Sequence, residues 1–208
     1  MNTVKAVMPA YTPRAAARPG ERGFSMIMVL IILTILSLLG VAATQMTLLS
    51  ERSTRFDRDF QIAWQSAEAA LLDAEFDIRG PNASGSSRVA SFSNTSLLGF
   101  TDGCGTGTDR GLCMPATAGK PVWYTVDFTD ESANARTVQF GEFTGRTLDY
   151  GTTGVRPALR PRYIIEAIPD LSPGGSAGVQ KFLYRVTAMG FGPRADTQAV
   201  IQMVFRKE

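Results

Sequence analysis

The chain contains no histidine. That absence removes the commonest general base, the Ser-His and Cys-His dyads, and most zinc sites. Only two cysteines are present, too few to hold a structural zinc unaided. Net charge is small as well, +2 over 208 residues. Nothing in it forms the concentrated basic surface that phosphate backbones require, so no nucleic acid partner is expected. No charged residue lies between Arg22 and Glu51, and no proline or glycine between Thr44 and Arg79. The length suits one membrane-attached domain. Glycine and proline gather between residues 80 and 180, with aromatic residues spread among them. That composition marks a loop-rich domain rather than a disordered tail.

What is present begins with "GFSMIMVLIILTILSLLGVAA" from Gly23. As a helix, Phe24 to Ala43 rises about 30 Å, the thickness of a hydrocarbon core. Lys5, Arg14, Arg18 and Arg22 precede it against the single acid Glu21, whereas acids and bases nearly balance in Glu51–Asp59. The positive-inside bias therefore puts the N-terminus in the cytoplasm and the bulk of the chain on the far side.

Three readings of this run stand side by side. It serves as a permanent anchor; or it is a secretory signal cut at Val41-Ala42-Ala43, although its apolar core is longer than such signals carry. The third reading turns on its start, where a basic leader ends in Gly23 and the apolar stretch begins at once with Phe24. That arrangement resembles the type IV prepilin signal. The resemblance implies that a membrane peptidase cuts after Gly23 and that Phe24 becomes the N-methylated first residue. The apolar helix then stays with the mature protein.

The helical pattern continues past the apolar run. Leu49, Phe56, Phe60, Ala63, Ala67, Leu71, Ala74 and Ile78 recur at helical spacing, one face of an amphipathic helix. Arg52, Arg55, Arg58, Gln61, Gln65, Glu68 and Asp73 occupy the other. Gly80-Pro81 ends the pattern. Phe24 to Arg79 would thus form one helix of roughly 80 Å, with Gly40 the expected place for a bend. The period is nearer 3.6 than a strict heptad, and Ala63, Ala67, Ala70 and Ala74 suit close packing on a sheet. Packing on the chain's own domain is therefore expected in preference to a coiled-coil stalk.

Four later segments read as strands: "VWYTVDF", with Val122, Tyr124, Val126 and Phe128 on one face; "RYIIEAI"; "KFLYRVTAMG"; and "TQAVIQMVFRK". The turn-rich connections "PDLSPGGSAG" and "FGPRAD" are short enough for antiparallel neighbours. The expected fold is α+β: a long N-terminal helix, transmembrane and then amphipathic, packed on an antiparallel sheet of about four strands. The divisions are a leader at 1–23, the transmembrane half of the helix at 24–43 and its amphipathic half at 44–79. A connecting loop region follows at 80–121 and the sheet domain at 122–208. Within the connecting region, Cys104 and Cys113 enclose "GTGTDRGL" and are expected to form a disulfide in an oxidising compartment.

This plan, a cleavable leader, a continuous apolar-then-amphipathic helix and a C-terminal β domain, resembles the type IV pilins and pseudopilins. "FQIAWQSAEAALLDAE", "GLC" at Gly111–Cys113, "PVWY" and "YRVTAMGFG" are similar to segments of the PilX-type minor pilins, in the same order along the chain. The resemblance implies a non-enzymatic structural subunit that helps prime pilus assembly in a tip-located complex. Implied partners are other minor pilins and the major pilin through the N-terminal helix, the prepilin peptidase, and a tip adhesin. The implied location is the bacterial inner membrane, with the C-terminal domain in the periplasm, and then the fibre or its tip; twitching motility is one possible outcome. One departure stands out. Most pilins carry Glu at the fifth mature position, which here is Met28. In the family that carboxylate neutralises the amino terminus of a neighbouring subunit, so its loss suits a first or tip-proximal subunit.

Other motif matches fail on their context. Gly174-Gly175-Ser176-Ala177-Gly178 fits a nucleophile elbow, but without histidine Ser176 has no base. Gly103, Gly105 and Gly107 lack the Walker lysine and the following helix. Asp102 and Asp109 lack EF-hand spacing. No catalytic group, cofactor or metal is expected. The alternatives retained are a permanently anchored periplasmic binding or scaffold domain and a type II secretion minor pseudopilin.

Overall fold

The computed structural model describes residues 24–151, 153–171 and 180–207. The chain divides into two compact units, Met1–Glu51 and Arg52–Glu208, and one helix, α1 (Phe24–Arg79), contributes to both. Its continuity follows from its composition. The apolar half has no proline, and α1 runs through Gly40 without a break. Threonine hydroxyls here bond within the helix: Thr34 donates to the Ile31 carbonyl at 2.8 Å, and Thr44, just past the apolar half, to that of Val41 at 2.8 Å. Backbone and side-chain polar groups must be paired internally where no water is at hand. At the other end Gly80 adopts φ +85° and returns its N–H to the Phe76 carbonyl at 2.7 Å. This left-handed C-terminal stop costs glycine least.

In the second unit, α1 lies on a five-stranded sheet. Its strands are β1 (Leu112–Cys113), β2 (Val138–Gln139), β3 (Arg162–Pro169), β4 (Phe182–Phe191) and β5 (Gln198–Phe205). The order is β1-β3-β4-β5, with β2 also on β3. β3, β4 and β5 form an antiparallel meander, in which Ile165 pairs with Val186 and Val186 in turn with Met203. β1 runs parallel to β3, with Leu112 opposite Ile165; β2 pairs antiparallel with the start of the same strand, Val138 opposite Tyr163. The sheet is thus mixed at one margin, where two short segments dock, β1 from the connecting region and β2 from beyond it.

Two apolar layers sandwich the sheet. Ala70, Ala74 and Ile78 of α1 join Tyr163, Ile165, Tyr184, Val186 and Ala188 on one side. On the other, Cys104, Cys113, Val122 and Phe128 close over Ile164 and Phe191. Here the structure corrects one expectation. "VWYTVDF" does not join the sheet; Val122–Thr125 forms a short helical turn, α2, after Pro121. The Thr125 hydroxyl donates to the Val122 carbonyl at 2.8 Å. The apolar alternation serves instead to plug the second layer, since Val122 and Phe128 are both buried while Tyr124 is exposed.

Candidate functional site

The first candidate is the apolar half of α1. Met26, Ile27, Met28, Val29, Leu30, Ile31, and most of the large apolar residues up to Val41, are exposed. The helix is long and apolar enough to cross a membrane. A surface of this kind is stable only against lipid or other apolar helices. Met28 sits among these exposed residues, a thioether at the position where the resemblance leads one to expect a carboxylate. Gly23 lies outside the described residues, as do Ser176 and its glycine neighbours; Phe24 is the first residue of α1.

The second candidate is the surface that fixes α1 on the sheet. Ala63, Ala67, Ala74 and Ile78 are fully buried and Leu71 is partly buried against the same core. The packing is close enough to require small residues on both partners. A Cβ placed on Gly190 of β4 would stand 2.1 Å from the Ala63 carbonyl oxygen and 2.2 Å from the Ala67 nitrogen. A Cβ on Gly192 would likewise stand 2.8 Å from the Asp59 carbonyl oxygen. The packing face is shorter than the periodicity predicts. Leu49, Phe56 and Phe60 are exposed. The sheet gives out at this level, because the β4–β5 turn follows directly after Phe191. Phe56 instead stacks on Phe60, with ring centroids 6.4 Å apart, and Phe60 lies 6.3 Å from Trp64, a ladder along the helix surface.

Sequence reasoning missed the polar half of this attachment. Asp73 and Asp77, one turn apart on α1, are both fully buried. Asp77 accepts from the Arg88 Nε at 2.7 Å and from the Tyr163 hydroxyl at 3.1 Å. Arg88 spends its remaining donors on the carbonyls of Thr108 and Arg110, each at 2.7 Å. Its guanidinium also stacks over the Phe143 ring, 3.9 Å from the centroid. Arg88 thus ties α1 to the connecting region, and Asp77 carries the link on to β3 through Tyr163. Asp73 accepts from the Gly141 N–H at 2.8 Å and the Thr144 hydroxyl at 2.5 Å, with the Arg146 guanidinium 4.0 Å away. Burial pushes the Asp73 carboxyl above its usual range, and these donors pull only part of the way back. Burial likewise raises Asp77 against the pull of Arg88, and lifts the Tyr163 hydroxyl well above the ordinary phenol, with the neighbouring acids adding to it. The signal available in the sequence was two acids four residues apart, Asp73 and Asp77, beside the apolar positions Ala74 and Ile78; the periodicity puts Asp73 on the polar face, and the structure buries it.

On the opposite layer, Cys104 and Cys113 are joined in a disulfide, both buried. Cys113 belongs to β1, so the bridge fastens the glycine-rich loop to the sheet. Nearby, Glu166 is fully buried yet receives both a 2.7 Å and a 3.0 Å bond from Arg185, its register partner on β4. Among the described residues no cluster of acids or cysteines could hold a metal ion. Asp109 stands within the disulfide loop, where it lies against Gly99 and Gly105 and buttresses the turn, and Asp102 lies just before Cys104.

Comparison with known proteins gives two matches. Residues 22–72 match the family model described as PilX N-terminal, and residues 109–207 match that of the type IV pilus assembly protein PilX C-term. Together they take in most of the chain, in the expected order. No curated protein and no solved structure gives a significant match.

Proposed function

Because the chain belongs to the PilX family of type IV pilus assembly proteins, we propose that it is a non-enzymatic minor pilin that primes the fibre as part of a tip-located complex. The observation that carries the reading is α1 itself: one unbroken helix from Phe24 to Arg79, wholly exposed and apolar at one end and clamped to a sheet at the other. An apolar helix that exposes its side chains all round is suited to lipid before assembly and to neighbouring pilin helices afterwards. The change of solvent needs no change in the helix, because its backbone bonds are internal in both settings.

In this reading the peptidase cuts between Gly23 and Phe24 on the cytoplasmic side, Phe24 is N-methylated, and the sheet domain stands in the periplasm. Phe24 to Ala43 then packs with other minor pilins and the major pilin. Met28 supports a leading position. An acid within the membrane helix costs on the order of 2.5–3.5 kcal/mol near the bilayer centre, and only a subunit with a neighbour above it recovers that cost at the neighbour's amino terminus. A tip adhesin is the further partner that this position would serve.

Deletion of the gene in its host, followed by electron microscopy and immunoblotting of sheared surface fibres, tests the reading. Loss of surface pili, restored by the full chain but not by a chain whose Gly23 is replaced, is the expected result. Normal piliation in the deletion strain, or full rescue by the unprocessed chain, contradicts it.

A further inference from the structure

β5 is the last strand of the sheet, and its outer edge has no partner strand among the described residues. The register shows which backbone groups face outward. The Gly192 N–H donates to the Thr197 carbonyl at 2.7 Å, one step beyond the Phe191–Gln198 pair. The Asp170 N–H donates to Lys181 at 2.8 Å on the other side of β4, which fixes the same alternation independently. In an antiparallel ladder alternate residues point their N–H and C=O to the same side. Ala199, Ile201, Met203 and Phe205 therefore bond to β4, while Gln198, Val200, Gln202 and Val204 turn theirs to the open edge. Among the described residues no loop or turn backbone bond reaches any of these four.

The side chains carry the same message. The β4 residues Tyr184, Val186 and Ala188 are fully buried under α1, but their register partners Phe205, Met203 and Ile201 are only half covered. On the opposite face Val200 and Val204 are 39% and 55% exposed. The core thins out at β5 although α1 continues above it. Arg79 lies over the Phe205 ring at 5.1 Å, so this flank of the helix overhangs the edge. Trp64, Glu68, Leu71, Glu75 and Arg79 follow one another along that flank at spacings of four, three, four and four. The ridge is held in place by the Trp64–Glu68 bond at 2.8 Å and the Glu75–Arg79 pair at 3.0 Å. From Trp64 to Arg79 it runs roughly 22 Å, close to the roughly 20 Å of β5 from Ala199 to Phe205.

We propose that this edge is a strand-addition site: an extended segment of a different protein pairs with Gln198–Val204 beneath the Trp64–Arg79 ridge and completes the sheet. Backbone groups at Gln198, Val200, Gln202 and Val204 supply the ladder, and alternate apolar side chains of the incoming strand cover Ile201, Met203 and Trp64. A second copy of this chain does not fit the role in a shared membrane. A two-fold pairing of β5 with itself is antiparallel and reverses the direction of α1 between copies, so the two chains would enter their sheets from opposite sides. The inference rests on the assembly reading only for where the partner is met, not for the chemistry of the edge.

The test is amide-resolved hydrogen exchange on the full chain, recovered by an affinity tag in three forms: detergent-solubilised monomer, membrane-fraction complex and sheared fibres. Amides of Val200, Gln202 and Val204 are expected to exchange freely in the monomer and at least about tenfold more slowly in one of the complexes, while those of Ile201 and Met203 are protected throughout. Val200→Pro removes an outward donor but no bond to β4. It is expected to keep the disulfide and the thermal stability and to lose the added protection at Gln202 and Val204. Free exchange of the outward amides in every form overturns the proposal. So does protection that appears in the purified chain alone as its concentration rises, which would identify a second copy as the occupant. Absence of the chain from fibres, with the edge protected in the membrane complex, counts against the pilus reading and leaves the strand-addition site standing.

Discussion

The Arg88 guanidinium meets the Asp77 carboxylate at 2.7 Å, and neither side chain has appreciable contact with water. A buried pair of this kind adds little to stability relative to an apolar replacement, but removing one member leaves the other charged and unpaired, at about 3–5 kcal/mol. Arg88→Ala is therefore expected to destabilise the Arg52–Glu208 unit by about that amount, because Thr108 and Arg110 also lose their donor. Arg88→Lys should rescue it poorly, since an ammonium cannot reproduce the fork. Thermal unfolding of the detergent-solubilised chain, followed by circular dichroism, measures both.

Gly190→Ala tests the helix–sheet contact. A single methyl at this position would collide with the α1 backbone at Ala63 and Ala67, and neither backbone can yield without parting the layers. The expected cost is at or above the usual range of about 1–3 kcal/mol for overpacking. Limited proteolysis is the direct measure, because a loosened helix exposes cleavage sites between Arg52 and Arg79. Wild-type resistance in this variant would mean that the two backbones are further apart than described.

These two contacts mark the limit of what the sequence made legible. The C-terminal end of α1 at Arg79 was readable, because polar and apolar residues recur at helical period and Gly80-Pro81 is an unmistakable stop. β4 and β5 were readable from their period-two pattern, and β3 from its short apolar run, to within a residue or two. Val122–Phe128 shows the same period but lies outside the ladder, and only the second apolar layer explains why. β1 and β2 are too short for any periodic signal. Leu49, Phe56 and Phe60 continue the helical face beyond the sheet, and no local pattern records where a partner element stops. The Arg88–Asp77 and Asp73–Thr144 contacts join residues far apart in the chain, which a reading by local spacing does not pair.

Asp73 makes stability depend on pH. Burial holds the folded Asp73 carboxyl above the usual carboxylate range, so between the unfolded and the folded pKa the folded state holds a proton that the unfolded state releases. Stability contributed by this group is therefore present in full below the unfolded pKa and declines as pH rises through the folded one. The Asp73 contribution to the wild-type melting temperature should accordingly be near zero well above the folded pKa and grow as pH falls from the folded pKa toward the unfolded one. In Asp73→Asn the Asp73 contribution to that slope should vanish, leaving what Asp77 supplies. An unchanged slope in the variant would mean that Arg146 and the Thr144 hydroxyl keep Asp73 at its ordinary value.

The disulfide fastens β1 to a loop with little core of its own. Replacing both Cys104 and Cys113 by Ser is expected to cost up to about 3 kcal/mol, through the entropy the unfolded chain regains. Midpoints of denaturant unfolding for the oxidised, reduced and doubly substituted chains give the value. Equal midpoints for all three would show that the buried packing around Ile164 and Phe191 suffices alone.

Everything proposed about assembly depends on what becomes of the first residues. The decisive measurement is the intact mass of the protein recovered from its host, together with N-terminal peptide sequencing. A mature chain beginning at N-methyl-Phe24 is the expected result, and it makes α1 from its first residue an assembly helix. A chain beginning at Thr44 would be a secreted product without the apolar segment, and one beginning at Met1 a simple anchored protein. Either would contradict the account.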